Sequence, residues 1–238
     1  MEENKIKETI RKFFISYSNK LNNDLIKSLQ NPKDPKYQKI IVNPYEMGDL
    51  TYKIDNVFCH SIDSRLGHIF EDITKEISKI NYKVFFEIDN LKCDLCVQDK
   101  ETDIFYIMEL KSNFDIDSKK VKAEYDALQE RKQKLSKNEN IDINKIQIRI
   151  CSCKQLTSNK QITKILTQFK PCEILTYEDF WNFICKSKNG CELIMNEYIK
   201  NKIYINDVII KNRETCIKQF KHLEKHENTC FEIEKGLW

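Results

Sequence analysis

The chain has 238 residues, ten of them cysteine, and a formal net charge of +3. That length suits one sizeable domain with a real apolar core, which removes any need for disulfide staples. The charged start "MEENKIKETIRKFF" lacks the apolar run and small-residue cleavage site of a secretory leader, and no stretch approaches the roughly 18 apolar residues of a membrane span. The cysteines therefore read as reduced thiols of a soluble, cytoplasmic protein.

In chain order, residues 4 to 30 read as a helix that the two prolines of "NPKDPKYQ" stop. From 63 to 80, Leu66, Ile69, Phe70, Ile73, Ile77 and Ile80 recur on one helical face. "YKVFFEI", "LKCDLCVQ" and "DIFYIMELKS" follow as three strands. A helix from about 118 to 137 carries Val121, Tyr125, Leu128 and Leu135, and "KIQIRICSC" and "CEILT" are two further strands. The tail after 190 reads as helical, with "KIYINDVII" as a candidate short strand. The order is helix, three strands, helix, strand, helix, strand, helix, an α/β layer pattern with an antiparallel start and a later parallel crossover. No linker or compositional break marks a second domain, so residues 1–238 read as one.

Side chains alternate across a strand, so Phe105, Ile107, Glu109 and Lys111 share one face while Ile104, Tyr106, Met108 and Leu110 share the other. On the first face two apolar residues give way to a carboxylate and then an amine. Taking "DKET" as a four-residue hairpin loop pairs Gln98 with Asp103, which sets Asp94 opposite Ile107 and diagonal to Glu109 on the same face. Two carboxylates so placed can reach one hard divalent cation. Such an ion polarises a phosphodiester and acidifies an attacking water, and Lys111 beside it can orient that water and stabilise transition-state charge. The competing reading is a Glu109–Lys111 ion pair on a solvated face, which Phe105 and Ile107 before them argue against.

At these residues the sequence resembles the PD-(D/E)XK nuclease superfamily, and within it the type II restriction endonucleases. "CD" at 93–94 supplies the motif aspartate, with Cys93 replacing the family proline, and "ELK" at 109–111 supplies the acid and the lysine. "RLGHIFEDI", with Gly67 and Glu71 four apart, is similar to the G-x-x-x-E that many restriction enzymes carry on the helix before the core strands. "ILTYEDFWNFI" looks like the strand, turn and aromatic helix near the end of such cores. The resemblance implies a restriction-endonuclease-like core over about 60–187, a mixed central sheet flanked by helices, with a helical N-terminal extension (1–59) and a C-terminal extension (188–238). It implies Asp94, Glu109 and Glu71 as metal ligands, Lys111 as catalytic lysine, Mg²⁺ as cofactor with Mn²⁺ able to substitute, and a homodimer on double-stranded DNA.

Glu71 lies off the centre of its helix's apolar stripe, as a surface glutamate does, and faces a cleft only if Gly67 allows close approach on that flank. His68, on the same polar side, reads as solvent-facing. The net charge alone does not argue for nucleic acid, but "SKKVKAEYDALQERKQKLSK" is locally basic and offers Lys119, Lys120, Lys122, Arg131 and Lys132 to phosphates. The same helix is equally a solvated element packed through Val121, Leu128 and Leu135.

A four-cysteine zinc site from Cys93, Cys96, Cys151 and Cys153 fails on geometry, because Cys93 and Cys96 point to opposite strand faces; small buried thiols are the better reading. Cys216, His222, His226 and Cys230 have suggestive spacing, yet Cys216 must fold back, and an amphipathic helix with polar histidines is preferred. The expected function is a Mg²⁺-dependent type II restriction endonuclease. The alternatives are a junction-resolving or repair nuclease of the same superfamily, or a non-catalytic DNA-binding module.

Overall fold

The computed structural model describes residues 2–31, 33, 50–85, 93–111 and 114–235; within those spans some side chains, including those of 57–68 and 219–235, lie outside the description. Helices α1 (Glu2–Gln30) and α2 (Leu50–Asn81) precede three strands, β1 (Tyr82–Phe85), β2 (Leu95–Asp99) and β3 (Phe105–Lys111). Helix α3 (Ser118–Asn138) leads to β4 (Ile146–Ser152). Then come α4 (Asn159–Ile165), β5 (Ile174–Leu175), α5 (Tyr177–Cys185) and α6 (Gly190–Lys235). The strands form one sheet in the order β1-β2-β3-β4-β5, antiparallel up to β3 and parallel from β3 to β5. The fold is α/β, with a mixed five-stranded sheet flanked by helices, and the antiparallel start and parallel crossover fall where the sequence pattern put them.

Two compact units divide the chain: residues 1–10 with 67–198, which hold the whole sheet, and residues 11–66 with 199–238. Within the second unit, Asp55 forms a two-point ion pair with Arg213, and Asn212 donates to Asn22 at 2.9 Å. Residues 202–210, a candidate strand by composition, are helical. Burial there recurs at Asn201, Ile205, Asn212 and Cys216, which is helical spacing and not alternation.

The β2–β3 register differs from the expected one. Gln98 stands across from Phe105, not Asp103, so the ladder is two residues further along. The loop is residues 100–103, closed by the Asp99 N–H on the Ile104 carbonyl at 2.8 Å and the Asp103 N–H on the Asp99 carbonyl at 3.0 Å. Asp103 takes a left-handed backbone at φ 59°, which a short polar side chain tolerates, and the Asp99 carboxylate accepts from the Glu101 and Thr102 amides at 2.8 and 3.3 Å. Asp99 thus serves as the stem of the turn. Gln98 still reaches Asp103, through its side chain.

One face of the sheet packs on α3. Val121, Leu128 and Leu135, spaced by seven, form a fully buried stripe against Phe105, Ile107, Ile146, Ile148 and Ile150. Asp117 starts this helix as its cap, accepting from the Lys120 amide at 2.8 Å. On the other face Tyr106 meets Phe183 of α5 edge-on at 4.9 Å. The fully buried Trp181 donates its Nε1–H to the Cys153 carbonyl at 3.1 Å, so its one polar atom is satisfied. Asn81 and Tyr82 donate to the Ile184 and Phe183 carbonyls at 3.0 and 2.6 Å and tie the end of α2 to α5. The segment "ILTYEDFWNFI" is a short strand and a helix joined at Thr176, the strand, turn and helix order expected of it.

Candidate active site

The apolar face that β3 turns toward α3 ends in charge. Phe105 and Ile107 sit in the core, Glu109 continues their face at 8% exposure, and Lys111 is half-buried at the strand's C-terminal end. The last β2–β3 pair is Leu95 with Met108, and the same register carried one residue further sets Asp94 directly across from Glu109. This corrects the diagonal placement expected from the sequence, and it brings the two acids closer. Asp94 is fixed there because its Oδ2 accepts the Leu110 amide at 2.7 Å.

Helix α3 supplies two partners to this pair. Lys111 Nζ donates to Glu109 Oε1 at 2.7 Å and to Glu124 Oε1 at 2.8 Å. Arg131 donates from a guanidinium nitrogen to Glu109 Oε2 at 2.9 Å. Both oxygens of Glu109 are therefore held by cations. Glu124 and Arg131 each lie three residues after a member of the buried stripe, Val121 and Leu128, so they border it on one flank and point at the sheet end where that stripe meets β3. Sequence reasoning missed Glu124; its offset from the stripe, repeated by Arg131, was the available signal. Arg131, offered to phosphates on composition, turns inward. Lys119, Lys120 and Lys122 are exposed, with Lys120 3.9 Å from Asp117, and Lys132 is partly exposed.

The electrostatics follow from this crowding. Burial, the neighbouring Glu109 and Glu71 push the Asp94 carboxyl up to about 6, against the Leu110 amide and Lys111, which pull it down. Glu71, half-buried on α2, raises Cys153 as well, so its charge acts at the same end of the sheet. Burial pulls the Lys111 ammonium down, but its bonds to Glu109 and Glu124 outweigh that and hold it above its ordinary value. Burial lifts the Cys93 and Cys153 thiols to about 11 and about 12, which leaves them protonated and unreactive at neutral pH. A small cavity of about 70 Å³ opens beside Asp94, lined by Lys75, Val84, Phe85, Cys93, Leu95 and Cys96. Lys75 follows Glu71 by one helical turn and was not singled out from sequence.

Glu71, Asp94, Glu109 and Glu124 set four carboxylates against Lys111 and Arg131. Hard oxygen donors of this kind suit Mg²⁺. Among the described residues no three His, Cys, Asp or Glu side chains stand at metal-binding spacing. In the other proposed metal group Cys216 is fully buried, while the side chains of His222, His226 and Cys230 lie outside the described residues, as does that of His68. Cys96, Cys151 and Cys153 are buried thiols.

What fold and site define together is an α/β chain carrying an acid pair and a lysine at one end of a mixed sheet. No protein-family model matches the chain, and no curated protein matches its sequence. Among the described residues no helix is long and apolar enough to cross a membrane.

Proposed function

We propose that the protein is a Mg²⁺-dependent endonuclease of double-stranded DNA, a type II restriction enzyme of the PD-(D/E)XK kind, acting as a homodimer. The observation that carries this reading is the Asp94–Glu109–Lys111 constellation: two acids across one strand pair and a lysine two residues on, at the end of a buried strand. Asp94 and Glu109 would hold the cation, with Glu71 near enough in charge to act on Asp94. A bound Mg²⁺ would polarise the phosphodiester and acidify a water. Lys111, kept protonated by Glu109 and Glu124, offers charge stabilisation to the phosphorane-like transition state and orients the attacking water. The half-buried setting of the pair strengthens these interactions by excluding bulk water.

The deciding experiment is incubation of the purified protein with plasmid and Mg²⁺, followed by sequencing of the ends. Discrete fragments with a common end sequence are expected. Cutting only of branched DNA would favour the junction-resolving or repair reading, and binding without cutting would leave a DNA-binding module.

A further inference from the structure

We propose that Arg131 is the internal counter-cation of this site: it neutralises Glu109 while no metal is bound, and a divalent cation must take the Glu109 oxygen from it. This rests on reading the site as a metal centre, but it concerns a residue outside the acid–acid–lysine set. Arg131 and Glu109 side chains are 20% and 10% exposed, so neither is held in place by solvent, and their contact is a charge-assisted hydrogen bond of 2.9 Å. The other Glu109 oxygen is bound by Lys111 at 2.7 Å, and Lys111 is itself shared with Glu124. A metal approaching Glu109 therefore meets two oxygens that each already hold a cationic donor. Lys111 has a second carboxylate to keep it in place when one is withdrawn, whereas among the described residues Arg131 bonds at this site to Glu109. The exchange point is accordingly Oε2.

The physical reason for such an arrangement is the cost of a lone buried charge. A buried acid deprived of its partner is strongly destabilised, so the metal-free protein needs a stand-in for the ion. The stand-in must also be displaceable, and an arginine reaching across from a neighbouring helix can withdraw without disturbing β3. The chain paired this way is stable without metal and binds metal less tightly than its acids alone would allow. Loss of the guanidinium leaves Glu109 under-compensated, and cation binding then relieves that deficit.

Titration calorimetry of Mn²⁺ into metal-stripped full-length protein, without DNA, tests this. Arg131→Gln is expected to bind Mn²⁺ about tenfold or more tightly than the wild type, a factor in keeping with loss of one charge-assisted hydrogen bond. Arg131→Lys, which retains the charge, should restore affinity toward wild type, and circular dichroism should show both variants folded. Equal or weaker binding by Arg131→Gln, with the wild type binding normally, overturns the counter-cation role and leaves the metal reading standing. Absence of Mn²⁺ binding by the wild type and every variant overturns both. Should Arg131→Gln fail to fold, the competition is read in the wild type, with Glu109→Gln, which removes the carboxylate from the guanidinium, as the control. The native protein should then release Arg131 on adding Mn²⁺, seen as a shift of its side-chain Nε resonance that the Glu109→Gln protein lacks; no shift overturns the exchange.

Discussion

Glu124 Oε1 lies 2.8 Å from Lys111 Nζ although the two residues are thirteen apart and on different elements. Helix α3 packs beneath the strand that ends in Lys111, and one flank of its apolar stripe reaches back to the amine. A lysine gripped by a carboxylate from its own strand and another from the helix has given up its rotamer freedom on folding, so under the proposed nuclease reading none remains to be lost on substrate binding.

Glu124→Gln keeps the shape and a hydrogen-bond acceptor but removes the charge. Single-turnover cleavage should slow about tenfold or more, as for other residues that orient a catalytic group, with DNA affinity unchanged. Because the raised ammonium depends on both carboxylates, Lys111 should titrate at lower pH in this variant, and Glu124→Asp should recover part of the shift. An unchanged rate and an unchanged lysine titration would show that Glu109 alone holds the amine.

Lys111→Ala removes the amine and leaves the acids, so it should bind Ca²⁺ and DNA yet not cut. Asp94→Ala and Glu109→Ala should lose cutting together with cation affinity, since positioning the ion and activating water are joint requirements of one transition state. Gel-shift and cleavage assays on the three variants, with Ca²⁺ replacing Mg²⁺ for binding, separate the two effects. Efficient cleavage by Lys111→Ala would remove this residue from the chemistry.

Much of this was legible in the sequence because it rests on periodicity. The stripe Val121, Leu128, Leu135 and the alternation of Phe105, Ile107 and Glu109 each follow from one geometric repeat, and both recur in the structure. The hairpin register was not legible, since it turns on a single residue: Asp99, taken as part of the loop, is the stem that caps it, and Asp103 takes the left-handed turn position. That two-residue slip decides whether Asp94 is diagonal to Glu109 or across from it. The partnerships of Glu124 and Arg131 were hidden for a different reason. Their offset from the stripe shows which flank they share, but their partners depend on how far along β3 the helix sits, a tertiary distance that the offset does not give.

Gly190 opens α6 against α5, and a Cβ there would come within 2.6 Å of the Trp181 carbonyl oxygen and 2.7 Å of Cys185 Cβ. The carbonyl is backbone and cannot step aside, so Gly190→Ala must push the two helices apart. A cost of about 1–3 kcal/mol is expected, read as a lowered midpoint in urea unfolding. Wild-type stability in the variant would mean that the α5–α6 turn gives way without loss.

Asp94 predicts an unusual pH dependence. Its folded value of about 6 stands above the ordinary 3.8 because burial and the Glu109 and Glu71 charges oppose ionisation. The folded state therefore binds more protons than the unfolded chain between these values. Stability from this group is present in full below 3.8 and is lost as pH rises through about 6, the reverse of a salt-bridged aspartate. Two pH units correspond to about 3 kcal/mol at most, an upper figure because the acids share the strain. Asp94→Asn keeps an oxygen for the Leu110 amide while removing the charge. In metal-free protein it should be more stable than wild type by up to about 3 kcal/mol at neutral pH, with the difference vanishing as the pH falls toward 4. Urea unfolding of both proteins across that range checks it. Parallel stability profiles would mean that Asp94 ionises freely, and that the acid pair carries no stored repulsion for a cation to relieve.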